Sequence, residues 1–315
     1  MTTLTKRLDD YIAIRRSLGY DLSGSERVLR RFTAFAERHG KDCITVELFL
    51  RWKAAYGAAS NDTWSARLGM VRIFANWLQG LDARTEVPPM GLISGKPRRA
   101  RPYIYSDGEV ARIVTIAAGL PSRNGLRGKT SATMLGLIAA TGLRIGEAIG
   151  LDDVDVDLDA AILTIKRGKN GKARLVPITP SVVHRLRTYR AERTRIIGAG
   201  SSPFFLNENG RRPSENCVRH NFVRACQRIG LRKPKTYRRP GVGPRIHDLR
   251  HTFAVRTIID WYRTGLDPDR EMLKLSTYLG HSTPESTYWY IEAVPELLQL
   301  ASKRAERTLL EERTR

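Results

Sequence analysis

The sequence predicts a mainly α-helical protein with one small antiparallel β-sheet. Apolar residues recur every three to four positions over most of the chain, β-branched residues alternate around residues 155–178, and helical periodicity returns after Pro180. The 315 residues are enough for about two domains. We expect an N-terminal helical domain over residues 1–85, a basic linker over 86–103 and a second domain over 104–315.

The N-terminal domain is predicted to be a four-helix bundle. Apolar side chains follow helical spacing in four segments, and no alternating strand pattern separates them. Gly40 is typical of a residue that ends a helix, and Thr45 is typical of an N-cap. The predicted helices are Leu4–Leu18, Ser25–His39, Thr45–Tyr56 and Asn61–Leu78.

The linker is predicted from Pro and Gly residues that interrupt the helical pattern after Glu86. Its basic side chains, Arg98, Arg99 and Arg101, could lie along a phosphate backbone. A solvated linker explains the same composition equally well.

The second domain begins with a capping box, Ser106 to Glu109, ahead of a helix over Val110–Ala118. A buried helix over Thr130–Thr141 follows. Strands are predicted at Asp155–Ile165 and Ala173–Ile178, because Lys-Asn-Gly between two apolar runs indicates a hairpin. The later predicted helices are Val182–Ile196, Glu215–Ile229, His247–Thr264, Arg270–Leu279, Pro284–Tyr290 and Pro295–Arg307.

The charge balance indicates a polyanionic partner. The formal net charge is +22, and most of the excess lies after residue 90. Such a surplus repels itself, so nucleic acid is the leading partner and an anionic membrane surface the second. The longest apolar run, Ala132–Gly142, is about half of what a membrane span needs. Three cysteines without C-x-x-C spacing favour a reducing compartment, so we expect a soluble intracellular protein with no membrane partner.

Two motifs that suggest other chemistry do not fit it. His247 and His251 have the i, i+4 spacing of a zinc helix, but Asp248 is short for the catalytic Glu and Arg250 adds a cation between the two histidines. The run Gly91–Pro97 is one residue too short for a P-loop and has Pro97 where Ser or Thr would bind magnesium. We therefore expect no metal and no nucleotide cofactor.

A set of cationic and proton-transferring residues remains. It comprises T-G-L-R-x-x-E with Arg144 and Glu147, the G-K-x-x-K-x-R-L-V-P-I hairpin with Lys169, H-x-L-R-H with His247 and Arg250, L-G-H with His281, and Tyr290. In order and spacing these residues resemble the tyrosine recombinase (phage integrase) family. The motifs cover residues 104–300, whereas residues 1–85 resemble the family's core-binding domain in architecture alone.

The resemblance implies DNA strand cleavage through a 3′-phosphotyrosyl intermediate, without ATP or metal. Arg144 and Arg250 would clamp the phosphate because guanidinium groups bind its oxygens in forked geometry. Tyr290 would be the nucleophile and Lys169 the general acid, while His247 and His281 would contact the phosphate and Glu147 would support Arg144. Tyr288 also lies near the expected position. The nine-residue offset from His281 to Tyr290 favours Tyr290, and Tyr288 is predicted to pack.

The resemblance further implies integration or transposition of a mobile element by a tetramer on paired double-stranded DNA sites, in the bacterial cytoplasm at the nucleoid, with accessory recombinases as candidate partners. The apolar-poor tail from Lys303 to Arg315 would dock on a neighbouring subunit through Leu309 and Leu310, and simple fraying of the chain end is the alternative. The alternatives are a type IB topoisomerase and an inactive DNA-binding relative. Further DNA contacts are expected from Lys166, Arg167, Lys172, Arg174, Arg238, Arg239 and Arg245.

Overall fold

The computed structural model describes residues 3–56, 59–95, 101–166, 173–234, 243–281, 283 and 285–313. The chain divides into two compact units, residues 1–100 and residues 101–315. The described residues are mainly helical with one small antiparallel sheet, which confirms the predicted fold class. None of the described helices is long and apolar enough to cross a bilayer.

The described part of the first unit contains α1 (Leu4–Ser17), α2 (Ser23–Arg38), α3 (Val46–Ala55) and α4 (Asn61–Gln79). Each of the four predicted helices is therefore present. The Thr45 side chain accepts a hydrogen bond from the Leu48 amide, as the predicted N-cap requires. The core combines aliphatic and aromatic side chains, and the Trp52 and Trp64 rings meet edge to face with their centroids 5.0 Å apart.

The expected linker starts as a packed part of the first unit. Ile93 is buried in that unit's core, and Val87 and Leu92 pack against it. The Glu86 amide also donates to the Ile44 carbonyl at 2.7 Å. The Pro and Gly residues of this segment therefore mark an irregular path across the unit's surface up to residue 95.

The second unit contains nine helices in its described residues. They are α5 (Asp107–Ala118), α6 (Leu126–Thr141), α7 (Ile145–Gly150), α8 (Pro180–Ile197), α9 (Glu215–Arg228), α10 (His247–Thr264), α11 (Pro268–Leu279), α12 (Glu285–Ala293) and α13 (Pro295–Arg313). The capping box predicted at the start of α5 is confirmed, since Ser106 and Glu109 bond reciprocally. The short helix α7 was not predicted.

Helix α6 begins four residues before its predicted start. It is buried on nearly every side, so its sequence lacks the polar face that would mark where it begins. Gly128 lies where α6 crosses α5, and a Cβ there would collide with the Ala118 carbonyl oxygen. Glycine weakens a helix locally, but at position 128 the close packing of α6 on α5 requires it.

The sheet differs from the prediction in one respect. The single strand predicted at Asp155–Ile165 is wrong, because the chain turns back within it. A 3₁₀ turn at Asp153–Asp155 leads into β1 (Val156–Asp157), which pairs antiparallel with β2 (Ile162–Ile165). Ala161 adopts a positive φ of 56° in the connecting turn. Strand β2 then pairs with β3 (Arg174–Pro177), and Ile165 lies opposite Arg174.

Helix α13 packs on its own unit. Leu297 is fully buried in a cluster with residues of α10 and α11, and Arg304 forms an ion pair of 2.6 Å with Asp267. The helix predicted over Pro295–Arg307 is present, and α13 continues six residues further, to Arg313. Leu309 and Leu310 have side chains outside the described part.

Candidate active site

Arg144 and Arg250 meet at one backbone oxygen. Arg250 donates from Nη1 to the Gly142 carbonyl and from Nη2 to the Leu279 carbonyl, both at 2.7 Å. Arg144 donates to the same Leu279 oxygen at 3.4 Å and to the Gly280 carbonyl at 2.9 Å. The two guanidinium groups therefore lie side by side. Burial, and then the positive charge of Arg144, lower the pKa of Arg250 to about 10.

Two helix ends create this meeting point. Gly142 ends α6 and Gly280 ends α11, both with positive φ, and terminal carbonyl groups of each helix lack partners within it. These carbonyls carry the negative end of the helix dipole, so they attract guanidinium groups. A Cβ at Gly280 would lie 2.8 Å from Nη1 of Arg174, so glycine also provides room for a third arginine.

Glu147 balances part of this positive charge. Arg174 bonds both of its oxygens at 2.9 Å, and Arg144 bonds them through its amide and its Nη1. Although burial opposes ionisation, these bonds and charges hold the pKa of Glu147 at about 2. Glu147 therefore stays ionised and orients Arg144.

Arg174 was expected to contact DNA, but its side chain turns inward. It is about one-tenth exposed, and its Nε donates to the Tyr278 carbonyl at 2.7 Å. The reason is the buried Glu147 carboxylate, which requires a bidentate partner when it is taken out of water. Within the described residues Arg174 thus helps to fix Glu147, which in turn holds Arg144.

The two tyrosines occupy different environments. Tyr290 is 2% exposed, and its hydroxyl lies 3.0 Å from Nδ1 of His251. Tyr288 is 40% exposed, so the prediction that it packs is wrong. Residues that are two positions apart in a helix, as these tyrosines are, lie about 200° apart around its axis. The helix therefore buries one of these rings and turns the other toward solvent.

His281 lies beside the same helix. Its Nδ1 is 2.7 Å from the hydroxyl of Thr287, a fully buried residue one turn before Tyr290. The rings of His281 and Tyr290 are stacked with their centroids 6.4 Å apart. The contact joins the chain after α11 to the helix that carries Tyr290.

His247 is the first residue of α10, and its ring meets His251 edge to face with centroids 4.6 Å apart. Surrounding protein atoms, and then the charge of Arg250, lower the pKa of His247 to about 4, although part of the residue stays exposed. The imidazole is therefore neutral at pH 7 and can accept as well as donate a hydrogen bond.

The structure brings together Arg144, Glu147, His247, Arg250, His281 and Tyr290 in the second unit. Other predicted residues lie outside the described part: Arg98, Arg99, Arg167, Lys169, Lys172, Arg238 and Arg239. Lys166 lies 2.7 Å from the buried carboxylate of Asp155 and lines a cavity of about 430 Å³. Arg245 pairs with Asp248 at 3.1 Å and stays half-exposed, and Arg101 is exposed.

Three site residues were not predicted: His251, Thr287 and Arg174 in its inward position. The i, i+4 spacing drew attention to His251 as a zinc ligand, whereas its ring contacts Tyr290 instead. Among the described residues no group of three or more His, Cys, Asp and Glu could hold a metal ion.

Comparison with known proteins identifies similar sequences and folds. The profile described as "Phage integrase family" matches residues 107–296. The chain is 40% identical to the integrase/recombinase y4rB of Sinorhizobium fredii over 98% of both chains. It is 30% identical to tyrosine recombinase XerD of Mycobacterium tuberculosis, covering 92% of this chain and 94% of that protein. The Tn1549 transposon integrase, solved in complex with transposon right-end DNA, aligns with a TM-score of 0.66 at 16% identity over 97% of this chain and 99% of that one.

Proposed function

This chain belongs to the phage integrase family of site-specific tyrosine recombinases, enzymes that cleave and rejoin DNA, and we propose that it integrates or transposes a mobile DNA element. The relatives support this choice. One similar protein is named integrase/recombinase, and a protein of the same fold is a transposon integrase.

The observation that carries the proposal is the shared contact of Arg144 and Arg250 with the Leu279 carbonyl. Two adjacent guanidinium groups can bind both non-bridging oxygens of one phosphodiester and stabilise the charge that grows during attack. The Arg144 side chain is partly exposed, so a phosphate of DNA can reach it from solvent. Glu147 keeps this arginine in place while the DNA is absent.

In the proposed reaction the Tyr290 oxygen attacks phosphorus and forms the 3′-phosphotyrosyl bond as the bond to the 5′ oxygen breaks. The leaving oxygen takes a proton, which we assign to Lys169 as general acid. His247 and His281 bind the phosphate in this reaction. The reversal of the same steps, with a different 5′-hydroxyl, rejoins the strands, so the covalent bond stores the free energy that ligation needs.

We also propose that the enzyme binds double-stranded DNA through its basic residues and assembles as a tetramer on two paired sites. The net charge of +22 supports binding to a polyanion. We assign its action to the bacterial nucleoid in the cytoplasm, with accessory recombinases as further candidate partners.

A two-site recombination assay beside a supercoil-relaxation assay tests the proposal. Sequencing DNA that is covalently trapped on the protein in cells would identify the site, which is then cloned once or twice in a supercoiled plasmid. We expect exchanged products from the two-site plasmid, with little relaxation of the one-site plasmid. Relaxation that does not require the site would favour a type IB topoisomerase. Binding with no cleavage of either plasmid would favour an inactive DNA-binding relative.

A further inference from the structure

His251 contacts the atom of Tyr290 that would react with DNA. Its Nδ1 lies 3.0 Å from the phenol oxygen, within the distance at which a general base abstracts a proton. The two rings are edge to face with centroids 5.4 Å apart. Both residues are held on helices, His251 in the second turn of α10 and Tyr290 on α12. The contact is therefore set by the packing of two regular elements.

Attack by a tyrosine requires that its proton leave. An unperturbed phenol has a pKa of about 10 and an imidazole of about 6.5, so at pH 7 the phenol is protonated and the imidazole can accept. A positioned base typically accelerates such a step by about 10²–10⁴-fold. A tautomer of His251 with its hydrogen on Nε2 directs the Nδ1 lone pair at the phenol.

The groups around the two rings favour transfer of the proton from Tyr290 to His251. His247 on the same helix faces the His251 ring, and Tyr290 and Trp289 face it from α12. The positive charge of Arg250 interacts with Tyr290 and stabilises a phenolate there. His281 stacks on Tyr290 and directs its own Nδ1 to Thr287.

From this geometry we propose that His251 is a further catalytic residue, the general base that accepts the Tyr290 proton during strand cleavage. The inference rests on the proposed function. The proton moves from the Tyr290 oxygen to Nδ1 of His251 as the oxygen–phosphorus bond forms. The bond from phosphorus to the 5′ oxygen breaks, and Lys169 protonates that oxygen. During rejoining His251 returns its proton to the tyrosine.

The first test measures covalent adduct formation in a single turnover. His251→Asn can keep an acceptor near the position of Nδ1 but cannot take up a proton, and His251→Phe keeps a ring without nitrogens. The substrate carries a bridging 5′-phosphorothiolate, whose thiolate leaves without an acid, so the rate reports proton loss from tyrosine. We expect both variants to be slower than wild type by about 10²-fold or more. The matched control is His184→Asn, since His184 is exposed on α8.

A chemical rescue separates proton transfer from support of the fold. Incorporation of 3,5-difluorotyrosine at position 290 makes the phenol more acidic, so a base matters less. It should accelerate His251→Asn by about tenfold or more, but should not rescue Arg144→Ala, which lacks a phosphate contact. A merely structural role for His251 would not respond to phenol acidity.

Two results would overturn the inference: a rate for His251→Asn within about threefold of wild type, or no acceleration by the fluorinated tyrosine. A different result would show that the proposed function itself is wrong. If Tyr290→Phe still formed the adduct, Tyr290 would not be the nucleophile, whatever the His251 variants did. If the wild type formed a Tyr290 adduct and His251→Asn matched it, the assignment of His251 alone would fail.

Discussion

Replacing Glu147 with Gln tests how far the arginine cluster depends on one buried carboxylate. Glu147 is 7% exposed and accepts four hydrogen bonds from Arg144 and Arg174. Its pKa falls from the ordinary 4.5 to about 2. Because one pKa unit is worth about 1.4 kcal/mol, the ionised carboxylate stabilises the fold by roughly 3 kcal/mol relative to its neutral form.

The pH dependence gives the prediction its sign. The pKa of Glu147 is lower in the folded protein than in the unfolded chain, so its stabilisation is complete above about pH 5 and is lost as the pH falls from 4.5 toward 2. We expect Glu147→Gln to lower the free energy of unfolding by about 3 kcal/mol at pH 7 and by about 1.5 kcal/mol at pH 3. Urea denaturation at both pH values measures the difference.

Glu215→Gln is the matched control. Glu215 is about half exposed on α9 and pairs with Arg219 one turn later, so its replacement should change stability by less than about 0.5 kcal/mol. If Glu147→Gln behaved like this control, or cost the same at pH 7 and pH 3, the assignment of Glu147 as the charge that orders the arginines would be refuted.

Three further outcomes are expected. Arg250→Ala should cost about 3–5 kcal/mol of unfolding free energy in urea titrations, besides losing cleavage, because it leaves the buried Gly142 carbonyl without its Arg250 donor and the Leu279 carbonyl with only the longer bond from Arg144; an unchanged stability would contradict this. Lys169→Ala should cleave a 5′-phosphorothiolate substrate far faster than ordinary DNA, and equal rates would exclude the lysine as general acid. A chain truncated after Ser302 should bind a single site but lose cooperative binding to paired sites, and isotherms that match the full chain would show that the tail takes no part in assembly.

Local patterns in the sequence were enough to predict most of the helices. Caps such as Thr45 and Ser106 act over three or four residues, and each predicted cap forms its expected hydrogen bond. The failures lie where tertiary packing overrides local pattern. Helix α6 has no polar face to mark its start, and the turn before β2 interrupts a run of β-branched residues that reads as one strand.

The order and spacing of the motifs were enough to predict which residues form most of the site. The motifs predict Arg144, Arg250, His281 and Tyr290, and the structure brings them into one part of the second unit. The direction of a side chain was not predictable. A basic residue in a basic run reads as a DNA contact, whereas Arg174 turns to a carboxylate that lies 27 residues away in sequence.

The contact between His251 and Tyr290 was also beyond the sequence. It depends on how α10 and α12 pack, and the two residues are 39 positions apart. The spacing of His247 and His251 places both on one helix face but does not say which group meets them. Helical periodicity limits the neighbours that a residue can have, and packing selects among them.

The central claim is that Tyr290 carries the DNA, and mass spectrometry of the trapped complex tests it most directly. The wild-type protein is incubated with a nicked site from which the cleaved fragment diffuses away, then digested with protease and nuclease. We expect the peptide that contains Tyr290 to be heavier by the mass of a nucleotide attached through its 3′-phosphate. Fragmentation of this peptide should locate the added mass on Tyr290. Tyr288→Phe should keep the adduct, and Tyr290→Phe should bind the DNA equally well and form none. An adduct on Tyr288, or one that persists in Tyr290→Phe, would contradict the assignment.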